Sequence, residues 1–356
     1  MLLVGAVALL VLLLLFFQAV AGSLTTGITG GIDNNSADVI AYADTARRNP
    51  SASFLPPEAS EQVAAIDGVA SVAATGLAQF EVATADGEGV DAVVVGLDPA
   101  GAGGPSTLTD GREAEQPGEA VFSGSSLTES FELGQQVTVE GVDLTVVGVA
   151  ADAAFEVSPT FYVPFADYAA AVQARAGTDV AAPVSWLGVS IDDGADPATV
   201  AQRISEGVDG VEALDRSTAA GELPGAGQIT QSFSILYLLL YVVVTIVTGV
   251  FFLILTVQKQ ASLVLLRAVG AGRADVVLPV LYQVLAIVGL GAALGAGLAA
   301  GLLRAASDTL GATVDGGTAL VTIAVIVVLG VVASLGAVRR VLAVDPIEAT
   351  TAGAVG

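Results

Sequence analysis

Four uncharged apolar stretches constrain this 356-residue chain more than any other feature, and they occupy residues 1–21, 235–257, 276–303 and 317–338. Each is long enough to cross a hydrocarbon core as a helix, which takes roughly 20 residues. A segment inside lipid must satisfy its own backbone polar groups, so runs of this kind read as membrane helices rather than as buried helices of a soluble fold. The expected fold class is a membrane protein of four transmembrane α-helices, with a large α+β extracytoplasmic domain inserted between helices 1 and 2.

The spans account for a mean hydropathy of +0.77 but not for 36 Asp and Glu against 12 Lys and Arg. The acidity is segregated. Residues 22–234 hold 31 acidic and 6 basic residues, a balance of −25, while the rest of the chain comes to +1. Composition also excludes chemistry. With no His and no Cys there is no usual zinc site, no Ser-His-Asp triad, no thiol nucleophile and no disulfide framework. A pI of about 4.1 leaves no basic footprint for nucleic acid.

Basic residues favour the cytoplasmic side of short loops, which sets the orientation. Lys259, Arg267 and Arg273 follow the second span, and Arg339-Arg340 follow the fourth. Loop 258–275 and tail 339–356 are therefore expected in the cytoplasm, with 22–234 and loop 304–316 outside and the N-terminus cytoplasmic. Ala19-Val20-Ala21 resembles a signal-cleavage site, but the first run lacks a basic lead-in and exceeds the usual signal length. It reads as a retained anchor, with the missing basic lead-in pointing to a start further upstream.

Residues 22–234 carry the periodicities of a folded domain. PEASEQVAAID (57–67) has helix-start composition and runs into the Val-rich segment 69–78. Near the end, WLGVSI (186–191) reads as a strand, DPATVAQRISE (196–206) as a helix entered by Asp196-Pro197, and 210–214 as another strand. Between these β-α-β-like pieces, 91–97 alternates as a half-buried strand, and 136–149 forms a hairpin with its turn at Glu140-Gly141. The cluster at Asp192, Asp193 and Asp196 invites calcium, but the twelfth position from Asp192, where an EF-hand places Glu, is Arg203. A solvated acidic turn is the better reading.

The third span contains two GxxxG spacings, Gly291 with Gly295 and Gly297 with Gly301, which let helices approach closely in lipid. Intrachain packing and a subunit contact explain them equally well. No Asp, Glu, Lys or Arg lies deep in a span, which argues against a carrier driven by its own intramembrane charges. Pro279 marks a first turn or a mild kink of that span.

The loop after the second span reads VQKQASLVLLRAVGAGRADVV, and Asp345-Pro346-Ile347-Glu348-Ala349 follows the last. With this helix order the chain resembles, over essentially its full length, the FtsX-like or MacB-type permease subunits of ABC transporters, whose loop is similar to LRAxGA and whose end is similar to DPxEA. The resemblance implies an outer domain split into porter-like and sabre-like parts. It also implies a loop that docks on a cytoplasmic ABC ATPase, which here falls on Lys259, Leu266, Arg267, Ala268, Gly270 and Arg273. A Glu commonly stands five residues before the Arg in such loops, and here that residue is Ser262. The contact then relies on shape and on Arg267, while Lys259, Arg267 and Arg273 acting only as topological anchors is the competing reading.

The single lysine, Lys259, lies between Gln258 and Gln260, outside any GxxxxGK[ST] pattern, so the chain has no P-loop of its own. No cofactor is expected on the chain itself, ATP acting through the partner ATPase. Four spans point to a half-transporter working with a second permease copy, in a homo- or heterodimer, amid membrane lipid and without nucleic acid. The expected function is export or extraction of a lipid, lipoprotein, peptide or drug-like substrate. Rival readings are a mechanotransmitting regulator of a cell-envelope enzyme, and a membrane-anchored enzyme built on a carboxylate pair that no motif singles out.

One Lys among so many carboxylates resembles the high-salt adaptation of halophiles, because large net charge preserves solubility when salt screens electrostatics, and the expected source is a halophilic archaeon. On that reading the chain holds its outer domain folded in molar salt and loosens it in low salt, as followed by the fluorescence of Trp186, its one tryptophan. Equal folding in both would remove the reading.

Overall fold

The computed structural model describes residues 2–84, 89–98, 101–124, 130–177, 180–258, 273–305 and 316–342. These residues fall into two compact units, one of residues 23–230 and one of the remainder.

The second unit consists of helices long and apolar enough to cross a membrane. They are α1 (Leu2–Asp33), α6 (Ala226–Gln258), α7 (Arg273–Ala305) and α8 (Gly316–Leu342). Val7, Val11 and Leu14 of α1 pack with Val244 and Phe252 of α6, Val284, Val288 and Ala292 of α7, and Ile326 of α8. Leu238, Leu290, Leu294, Leu298 and Leu320 point outward, which costs nothing in lipid. Polar side chains tie helices together: Thr322 Oγ1 donates to Gln18 Oε1 at 3.1 Å, and Tyr237 Oη donates to the Phe17 carbonyl at 3.2 Å. Pro279 lies inside α7 in its second turn, where its missing N–H removes one bond of the helical ladder.

The outer domain, residues 23–230, is built on strands β1 (Val39–Ala43), β2 (Val69–Thr84), β3 (Gly89–Leu97), β4 (Leu108–Gly111) and β5 (Glu119–Gly124). They are followed by β6 (Gln136–Val139), β7 (Val142–Ala151), β8 (Thr160–Pro164), β9 (Trp186–Ile191) and β10 (Val211–Asp215). Its helices are α2 (Glu58–Ala64), α3 (Phe165–Ala176), α4 (Pro197–Gly207) and α5 (Arg216–Gly221). The strands form one sheet in the order β10-β1-β9-β2-β3-β8-β5-β7-β4, with β6 joined to β2 and β7. Pairing is antiparallel except for β3 with β8 and β5 with β7.

Local chemistry explains several of these elements. Glu140 and Gly141 take φ of 48° and 85°, the two left-handed residues of a two-residue hairpin turn, and set Val139 opposite Val142. Asp196 caps α4 by accepting from the Thr199 N–H at 3.0 Å, Pro197 opens the helix, and Val200, Ala201 and Ile204 form its buried face. Residues 91–97 differ from the expected half-buried alternation: Ala92 through Val95 are all buried. The reason is that both faces of the sheet are covered, Val93 and Val95 facing one core and Ala92 and Val94 another. Strand β1 behaves alike, with Ile40 and Tyr42 on one side and Val39 and Ala41 on the other.

On the β3 half, Gly76 and Gly96 stand opposite each other in the ladder and together seat the ring of Tyr168 from α3. A Cβ would fall 2.2 Å from the ring at position 76 and 2.5 Å from its Cβ at position 96. Tyr168 is fully buried, with its Oη 3.4 Å from the Pro183 carbonyl, and burial pushes its phenol up to about 12. Gly96→Ala is expected to destabilise the outer domain by about 1–3 kcal/mol through overpacking. Tyr168→Ala should cost about 3–5 kcal/mol through the cavity it leaves. Urea unfolding of the full chain at fixed salt measures both.

Candidate functional site

The first membrane helix is too long for a membrane. At 1.5 Å per residue its 32 residues reach about 48 Å, against a hydrocarbon core of ~30 Å. The apolar run ends near Ala21, and the helix continues unbroken to Asp33 inside the outer domain. Gly27, Gly30 and Gly31 recur at i, i+3 and i+4 and so share one face of this extension.

That face receives the turn between β7 and β8. A Cβ at Gly30 would lie 2.3 Å from the Asp152 carbonyl oxygen, one at Gly31 2.3 Å from the Phe155 ring, and one at Gly27 3.1 Å from Val157 Cγ2. The Gly31 N–H donates to the Ala154 carbonyl at 2.9 Å, the Val157 N–H to the Gly27 carbonyl at 2.8 Å, and Asn34 Nδ2 to the Asp152 carbonyl at 2.6 Å.

The helix end is fastened on a second side by the strap 101–106. Asn35 Nδ2 donates to the Gly103 carbonyl at 2.8 Å, the Gly103 N–H to Ser36 Oγ at 3.0 Å, and the Ser36 N–H to the Gly104 carbonyl at 2.9 Å. Arg216, the first residue of α5, donates from Nη1 to the Asn35 carbonyl at 2.6 Å.

The second membrane helix has its root in the same core. Leu223 and Ala226, on the approach to α6 and at its first residue, pack in one cluster with Ile32 at the end of α1, with Ala37 in the segment that follows it, and with Ala219 and Ala220 of α5. Asp215 caps α5. Burial raises its carboxyl, but bonds from Ser217 and Thr218 outweigh this and hold it below the usual carboxylate range. Arg48 bridges Glu212 of β10 at 2.7 Å and also Glu222 just beyond α5. Its hydrogen bond to Glu212 is the main reason its guanidinium is held above the ordinary value, burial opposing.

Among the described residues no three His, Cys, Asp or Glu converge on a metal position. A cavity lined by Leu97, Asp98, Pro105, Glu113, Val121 and Tyr162 holds about 70 Å³, well under the roughly 300–1,000 Å³ of small-molecule sites. Tyr42 Oη, Thr75 Oγ1 and Trp186 Nε1 are buried in the outer domain without hydrogen-bond partners. Each such group costs about 1–3 kcal/mol.

The residues singled out by sequence are distributed unevenly. Lys259, Leu266, Arg267, Ala268 and Gly270 lie outside the described residues, as does 345–349, and Arg273 opens α7. Gly291 and Gly295 face α1: a Cβ at 291 would lie 2.8 Å from Val7 Cβ, and one at 295 would lie 2.4 Å from the Ala8 carbonyl oxygen. Positions 297 and 301 meet no described atom within 4 Å. The glycine face of α1 was missed, although the spacing of Gly27, Gly30 and Gly31 signals a close approach once the helix is allowed past the apolar run.

Two family descriptions match the chain: MacB-like periplasmic core domain over residues 1–206, and FtsX-like permease C-terminal over residues 234–346. Among solved structures, the periplasmic region of MacB from Actinobacillus actinomycetemcomitans is similar at 14% identity, covering 52% of this chain and 92% of that one, with a TM-score of 0.38. The extracellular domain of the noncanonic ABC-type transporter YknZ from Gram-positive bacteria is similar at 16% identity, covering 50% of this chain and 100% of that one, with a TM-score of 0.33. No curated protein matches the chain. With TM-scores this low, assignment rests on the two family matches.

The glycines of α7 give a direct contrast. Gly295→Ala must displace the α1 backbone and should lower the melting temperature of the detergent-solubilised chain by several degrees, corresponding to about 1–3 kcal/mol. Gly297→Ala, with open space around it, should change stability by less than about 0.5 kcal/mol.

Proposed function

Because the chain belongs to the FtsX-like, MacB-type family of ABC-transporter permease subunits, we propose that it couples ATP hydrolysis on a separate cytoplasmic ATPase to movement of its own outer domain. It is a multi-pass membrane protein with a large extracytoplasmic domain inserted after its first span. One observation carries the coupling proposal. Both α1 and α6 continue as unbroken helices from the membrane unit into a single core of the outer domain. Hydrogen-bonded helices resist stretching, so a displacement at one end is delivered at the other.

The energy enters from the cytoplasmic side, where Lys259, Leu266, Arg267, Ala268, Gly270 and Arg273 form the surface for the ATPase. Arg267 supplies the charge, and Leu266, Ala268 and Gly270 supply a shape that fits against a partner. Both termini are cytoplasmic, and the permease works as a dimer of two such subunits. In the outer domain, β1, β2, β9 and β10 with α2 and α4 make the porter-like part, and the strands from β3 to β8 with α3 make the sabre-like part. With no ionisable residue deep in the spans, the substrate is taken from the outer side or the outer leaflet rather than through a polar path across the bilayer. The substrate class is a lipid, lipoprotein, peptide or drug-like molecule, and the acidic coat keeps the domain soluble in high salt.

Purification in mild detergent and molar salt tests the coupling. The wild-type chain should retain an ABC ATPase, and Arg267→Glu should lower that retention at least tenfold. Failure of the wild type to retain an ATPase, or equal retention by the variant, overturns the proposal.

A further inference from the structure

The chain contains three asparagines, Asn34, Asn35 and Asn49, and one of them stands in the acceptor pattern for N-linked sugar, Asn-x-Ser/Thr with x other than Pro. Asn34-Asn35-Ser36 fits this pattern. Asn35 has Ala37 in the hydroxyl position, and Asn49, although Ser51 follows two residues on, is blocked by Pro50. Such a triplet carries meaning only on the exported side of a membrane and at the surface of the domain. The first condition is met, because residues 23–230 form the extracytoplasmic domain.

The structure separates the three side chains further. Asn35 is 1% exposed and is built into the strap contact: its Nδ2 donates to the Gly103 carbonyl at 2.8 Å, and its Oδ1 accepts from the Ala37 N–H at 2.9 Å. Asn49 Oδ1 caps the short helical turn that begins at Pro50 by accepting from the Ser51 N–H at 3.1 Å. Asn34 is the first residue past α1 and is half-buried, while Asp33, Ser36 and Asp152 around it are exposed. Its Nδ2 donates to the Asp152 carbonyl at 2.6 Å, and the second hydrogen of that amide has no partner among the described residues. Replacing this hydrogen by a sugar costs the fold no hydrogen bond.

We propose that Asn34 is an N-glycosylation site of the exported domain. In the transfer, Nδ2 attacks the anomeric carbon of a sugar carried on a lipid phosphate. The bond from that carbon to the phosphate oxygen breaks, and the lipid phosphate leaves with the electron pair. A bond forms from Nδ2 to the carbon, and one Nδ2 proton passes to a basic group of the transferase. The remaining Nδ2 hydrogen still serves the Asp152 carbonyl. In the folded domain the Ser36 hydroxyl, the group such transferases read, accepts from the Gly103 N–H at 3.0 Å. Transfer therefore precedes closure of the strap 101–106. The site is independent of the permease reading, since it needs only export of residues 23–230.

The full chain, purified from the membranes of its source cells, tests the proposal. Cleavage after Asp33 and Asp38 releases the peptide 34–38, whose mass and fragmentation show whether a sugar is attached and to which asparagine. In the wild type the sugar should be on Asn34. Ser36→Ala should lower its occupancy at least tenfold, whereas Ser36→Thr, which restores a hydroxyl, should keep it. An unmodified wild-type peptide, a sugar on Asn35, or equal occupancy in Ser36→Ala overturns the proposal. If the Ser36 variants do not accumulate, the wild-type peptide alone decides.

Discussion

A helix that outruns the bilayer must bury its surplus against something, and the organisation of the outer domain follows from how α1 meets that requirement. Its last eleven residues, 23–33, carry the narrow face of Gly27, Gly30 and Gly31, and the turn after β7 closes on that face through backbone bonds. Backbone-to-backbone contact at this range needs glycine, since any Cβ would occupy the space of Asp152 O or of the Phe155 ring. Ile32 then enters the core that covers one whole face of the sheet, where it meets Trp186, Tyr162 and the approach to α6.

The sheet gains its rigidity from being covered on both sides. One face carries a cluster that includes Ile32 at the end of α1 and Ala226 at the start of α6, while the other packs α2 and α4 on one half and α3 on the other. Close-packed interiors are poorly compressible, so a displacement entering at the roots is passed to the strands rather than absorbed. The proposed coupling draws on this rigidity.

Much of the fold was legible because its signals are local. The Glu140-Gly141 turn and the Asp196-Pro197 helix start depend on a few adjacent residues, and the structure has both. The spans were legible because lipid admits few solutions for an uncharged run. The alternation read into 91–97 missed the second covered face, which depends on α3 and so on residues seventy positions later. The candidate site was less legible. The residues read as the ATPase-facing loop, 259–270, lie outside the described structure, and the grip on α1 joins positions more than 120 residues apart. The two glycine pairs of α7 look alike in sequence, yet only Gly291 and Gly295 face α1.

By itself the sequence determined how many segments enter the membrane, which region carries the acidic coat, and which family motifs follow the second span. These are properties of composition, period and short spacing, and they hold whatever the segments pack against. Tertiary structure alone decided which glycines are used, why Gly76 and Gly96 must both be small, and how far α1 continues past the bilayer before the β7–β8 turn grips it. A period shows which side chains share a face. The partner of that face is set by loop closure and packing across the whole domain, and no local pattern encodes it.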